Sequence, residues 1–100
     1  MNTYKIRISP KIAFLMSVYF EDCAADDEAY GFLKSEGFPA GTFEVSEKAM
    51  DEYQSWSSFQ TESSRGWIET DGASALGEYN AMLAFYKQTV ALIGLRHHIG

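Results

Sequence analysis

The feature that most limits the fold of this 100-residue chain is a long apolar stripe near its C-terminus. Leu76, Tyr79, Leu83, Tyr86, Val90 and Ile93 fall at alternating three- and four-residue steps, the spacing that lines up side chains along one side of an α-helix. A helix from about Ala73 to Gly94 is therefore expected. Met82, Phe85 and Leu92 widen the stripe beyond what a lone amphipathic helix needs, so part of it is expected to face a second chain. A chain this short has surface enough for one core and not for two, which makes residues 1–100 a single domain in expectation.

The remaining elements follow from local chemistry. Tyr4, Ile6 and Ile8 alternate with Lys5 and Arg7, the period of a strand with one buried face. Ser9 suits the N-cap and Pro10 the first position of a helix reaching about Asp22, with Ile12, Leu15, Met16 and Tyr19 inward. The nearly continuous apolar run leaves a strand over Ala13–Phe20 as the alternative. Asp26-Asp27-Glu28 favours a short helix to Glu36, closed by Gly37-Phe38-Pro39. Gly41–Val45 reads as a strand. Ser46 then caps a helix over about Glu47–Phe59 that buries Ala49 or Met50, Tyr53 and Trp56. The polar run Gln60–Arg65 reads as an exposed loop, and Trp67–Thr70 as a third short strand ending at the turn pair Asp71-Gly72. The expected class is α+β: a small sheet of two to three strands packed by three to four helices, the last one long.

Charge narrows the function classes. The net charge is −6, yet residues 12–80 hold all fourteen acids against Lys34, Lys48 and Arg65, a formal −11. Such a surface repels phosphates and anionic lipid and attracts basic proteins, so direct nucleic-acid binding and membrane binding are not expected. The longest apolar run, Ile12–Phe20, is far shorter than a membrane span. Glu21-Asp22 after the basic N-terminal residues does not make a signal-peptide cleavage site, and the single Cys23 forms no internal disulfide. Both point to the cytoplasm.

The residue types that carry chemistry are sparse. His97 and His98 are adjacent, which directs them apart on helix or strand; they read as a frayed cationic end that suits the negative end of the last helix. Cys23 stands beside Glu21 and Asp22, which raises a thiol pKa where a nucleophile needs it lowered. Asp26-Asp27-Glu28-Ala29-Tyr30-Gly31 starts like a calcium loop, but Gly37 stands where the twelfth-position acid belongs. No phosphate-cradling glycine pattern and no nucleophile-elbow context occurs around the serines. No catalytic residue, cofactor or metal is assigned. Tyr53, Trp56, Phe59 and Trp67 crowd into fifteen residues among acids. Trp56 and Trp67 are read first as core, with an aromatic anchor at an interface as the functional alternative.

In size, acidity and lack of catalytic residues the chain is similar in type to small phage-encoded inhibitors of host defence, the anti-CRISPR and anti-restriction proteins. That resemblance implies a non-enzymatic inhibitor of a basic, nucleic-acid-handling protein or nucleoprotein complex. The carboxylates expected to meet such a partner are Glu21, Asp22, Asp26, Asp27, Glu28, Glu44, Glu47, Asp51 and Glu52, because spaced acids pair with the Arg and Lys that otherwise hold phosphates. The alternative is an oligomeric structural or accessory subunit, a homodimer through the C-terminal helix.

Overall fold

The computed structural model describes residues 3–23, 37 and 39–99. Among these the order is β1 (Thr3–Ile8), α1 (Pro10–Cys23), β2 (Gly41–Ser46), α2 (Glu47–Asp71) and α3 (Ala73–Ile93). The fold is α+β, with a two-stranded sheet and three helices among the described residues. The chain divides into two compact units, Met1–Ala49 and Met50–Gly100. The expected helix over Asp26–Glu36 lies outside the described residues.

In the first unit β1 and β2 pair antiparallel, with Lys5 opposite Glu44 and Ile6 opposite Phe43. The alternation read from the sequence is present: Ile6, Ile8 and Val45 are buried while Lys5, Arg7 and Glu44 are exposed. Opposite charges facing each other across the outer side of the ladder add to the pairing. Ser9 caps α1, its Oγ accepting from the Ile12 N–H at 3.2 Å. Pro10 is the first helical residue, where its missing N–H costs nothing. Residues 13–20 are helix, and Ile12, Leu15 and Met16 are buried as expected. Ser46 likewise caps α2, accepting from the Ala49 N–H at 3.1 Å.

The second unit departs from the sequence reading. Residues 60–71, expected as a loop and a third strand, are helix, so α2 runs unbroken for 25 residues. The reason lies in its buried side. Beyond Met50, Tyr53 and Trp56 that side continues through Ser57, Thr61 and Ser64. These keep helical spacing but are hydroxyls, so the segment carries no hydrophobic period. Their burial is tolerable because the hydroxyls bond to carbonyls of the preceding turn: Ser57 Oγ to Tyr53 O at 2.8 Å and Thr61 Oγ1 to Ser57 O at 2.7 Å.

Gly72 alone joins α2 to α3. Its N–H donates to Ile68 O at 3.0 Å and its carbonyl accepts from the Leu76 N–H at 3.1 Å, completing one helix and opening the next. It holds φ 60° and ψ −127°, a conformation that residues with a β-carbon rarely adopt and only with strain. Gly72→Ala is expected to cost about 1–2 kcal/mol, whereas Gly77→Ala, on an exposed helical site where a β-carbon meets nothing within 4 Å, gains about 0.5–1 kcal/mol. Urea midpoints of the two variants check this pair, and a shift of the same sign for both overturns it.

α3 has the expected length, and Tyr86 of the expected stripe is buried together with Met82 and Phe85, which widen it. The buried residues are Ala75, Met82, Phe85, Tyr86 and Thr89, while Leu76 is exposed. The inward side lies toward the Met82 and Phe85 flank of the expected stripe, because apolar residues spread widely around this helix and do not mark one face sharply. Phe85 meets Tyr53 and Trp56 edge-on, at ring-centre distances of 6.0 and 6.1 Å. Trp56 is buried as expected; Trp67 is not.

Candidate functional site

The acids proposed from the sequence fall into three groups. Glu21 and Asp22 occupy the last turn of α1, with side chains outside the described residues, as are Asp26, Asp27 and Glu28 entirely. In the first unit Glu44 and Glu47 are exposed. Glu44 accepts a hydrogen bond from Thr3 Oγ1, and Glu47, at the favourable positive end of α2, accepts a long one from Tyr4 Oη at 3.4 Å. In the second unit Glu52 is half-buried, and Asp51 is engaged by the chain itself.

Asp51 belongs to a polar constellation that the sequence did not disclose. Its Oδ1 lies 3.2 Å from His97 Nε2 and 3.7 Å from Arg96 Nη1. One turn along α2 from Asp51, Gln54 is fully buried. Its Nε2 donates to Gly94 O at 2.9 Å, and its Oε1 accepts from the Arg96 and His97 N–H groups at 2.6 and 2.7 Å. Tyr86 Oη donates to His97 O at 2.6 Å. The backbone turns out of α3 at Gly94, φ 80°, a left-handed position that glycine takes without strain. One amide side chain thus satisfies three backbone groups just past a helix end, where the last turn leaves carbonyls without helical partners. Residues 94–97 are held to α2 and α3, a correction to the frayed end expected around His97. Nothing in the sequence marks Gln54, since a lone glutamine in a polar helix has no signature.

The outer side of α2 carries the second unforeseen feature. Phe59 is 67% exposed and Trp67 58%. Ser63, Gly66 and Thr70 between and beside them are exposed as well. The sequence named both aromatics; what it did not indicate is that Ser57, Thr61 and Ser64 turn inward and the aromatics outward.

Among the described residues no group of His, Cys, Asp and Glu is arranged to hold a metal ion. Among them, too, no helix is long and apolar enough to cross a membrane. No protein-family model, curated protein or solved structure matches the chain.

Proposed function

We propose that this chain is a non-enzymatic binding protein whose acidic surface occupies a basic, nucleic-acid-handling partner and inhibits it. The observation that carries the reading is the concentration of a formal −11 in residues 12–80, part of it presented outward at Glu44 and Glu47. Carboxylates held apart on a surface pair one by one with Arg and Lys, and occupying those residues denies them to phosphates. Asp51, which Arg96 and His97 of the same chain meet, and half-buried Glu52 support the reading less directly than Glu44 and Glu47.

The test is capture of partners from a cell lysate at low and high ionic strength, with mass spectrometry and competition by DNA. A basic nucleic-acid-binding protein is expected to be held at low salt, shed when the screening length falls to about 3 Å at 1 M, and displaced by DNA. Reversing Asp26, Asp27, Glu44 and Glu47 to Lys is expected to abolish that capture. Unchanged capture by the reversed protein overturns the placement of the surface.

Leu92 and Leu95, exposed at the end of α3 and just beyond it, favour the alternative of an oligomeric accessory subunit. Recovery of the chain alone, as a salt-resistant oligomer in sedimentation, selects that reading. Tyr86 is no probe of it, because this side chain is buried and bonded to His97 O.

A further inference from the structure

The α2 helix is inverted with respect to polarity over its second half. Ser57, Thr61 and Ser64 are buried, while Phe59 and Trp67 stand in solvent. Leaving two aromatic rings exposed forgoes the gain of burying them, and aromatic anchors of this kind are where interfaces concentrate their binding energy. Phe59, Ser63, Gly66 and Thr70 recur at steps of four, three and four, so they share one line along the helix, with Trp67 beside Gly66. The rings are about 12 Å apart along the axis. The floor between them is low: both Ser63 and Gly66 are exposed, and a β-carbon added at Gly66 meets nothing within 4 Å.

Charge decides what fits there. Glu62 and Glu69 are exposed along the side of this line away from Trp67, next to Phe59, and they outnumber the one base of the stretch, Arg65. We propose that the outer side of α2 between Phe59 and Trp67 is a docking site for an arginine-bearing segment of a basic protein partner. A guanidinium suits both halves of this surface. Its plane stacks on an aromatic ring while its N–H fork reaches a carboxylate, a combination the compact ammonium of lysine does not match. A second copy of the chain brings the same acids to the contact and a net charge of −6, and a nucleic acid brings phosphates; both are repelled. This assignment rests on the reading of the chain as a binder of basic proteins, and it deepens that reading by naming the side chain recognised.

The test titrates the full chain with a short arginine-rich peptide, a lysine peptide of equal length and a single-stranded oligonucleotide, followed by calorimetry and tryptophan fluorescence. Buried Trp56 serves as the internal reference for Trp67. The arginine peptide is expected to bind several-fold more tightly than the lysine peptide and to perturb the emission of Trp67. Trp67→Ala and Phe59→Ala, both at exposed sites, are each expected to weaken it by about tenfold or more, with the thermal unfolding curve unchanged. Equal binding by wild type and Trp67→Ala overturns the site. If that binding is instead lost on reversing Glu44 and Glu47, the basic-partner reading stands and only the α2 assignment falls. No binding by either basic peptide overturns both. Binding of the oligonucleotide at Trp67, or a dimer that Trp67→Ala dissociates, overturns the choice of occupant.

Discussion

Replacing Phe85 with alanine is expected to destabilise the second unit by about 3–5 kcal/mol, the usual cost of emptying a buried aromatic site. Phe85 is 2% exposed and meets two other buried rings edge-on, so its removal loses the area buried and both ring contacts. Small domains have only about 5–15 kcal/mol in total, which makes this a large fraction of the whole. Phe85→Leu keeps most of the volume and is expected to cost less than about 1.5 kcal/mol. Urea unfolding, followed through Trp56 emission and through circular dichroism, distinguishes the two. A loss below about 1 kcal/mol for the alanine variant means that the three rings do not form the core of this unit.

The second large effect is expected at Gln54. Gln54→Leu has a similar volume but removes the partner of two N–H groups and one carbonyl at once. Stranding backbone groups in a partly buried site costs about 1–3 kcal/mol apiece, reduced here because Gly94 and Arg96 are exposed and water reaches them; the expected total is about 2–4 kcal/mol. Gln54→Glu separates the contributions. Its carboxylate still accepts from the Arg96 and His97 N–H groups, but it cannot donate to Gly94 O and is repelled by that carbonyl. Amide hydrogen exchange should show Arg96 and His97 losing protection in Gln54→Leu and retaining it in Gln54→Glu. If both amides exchange at the same rate in wild type and Gln54→Leu, residues 94–97 are not held by this side chain. The Asp51 contacts add little to that hold, since all three side chains are more than a third exposed and ion pairs in such settings contribute about 0–1 kcal/mol.

This division of effects bears on how the proposed surfaces can be tested. Phe85, Gln54 and Tyr86 maintain the second unit, so substitutions there confound folding with binding. Phe59 and Trp67 are exposed, and substitutions away from packed or bonded sites usually change stability by less than about 0.5 kcal/mol. Reversal of Glu44 and Glu47 gives up the hydrogen bonds to Thr3 and Tyr4 and sets a lysine opposite Lys5, a loss that thermal unfolding of the variants measures directly.

By itself the sequence determined the elements whose signal is local. Ser9 with Pro10 and Ser46 placed two helix starts, because a capping hydroxyl acts within three residues of its own position. Period-two alternation placed β1 and its inward Ile6 and Ile8. The pair Asp71-Gly72 marked the turn, since only glycine takes its backbone conformation freely. What the tertiary structure alone decided is everything that depends on which side of a helix meets another element. Apolar residues spread widely around α3, so only packing decided that Phe85, against Tyr53 and Trp56, and Met82 are buried and Leu76 is not. α2 continued through Gln60–Asp71 because buried Ser57, Thr61 and Ser64 keep helical spacing without hydrophobicity, and their hydroxyls find carbonyls only once the helix exists. The same inward turn put Phe59 and Trp67 in solvent. Gln54 reaches Gly94, Arg96 and His97 across forty residues of chain, a separation at which no sequence pattern operates and only the fold brings donor and acceptor together.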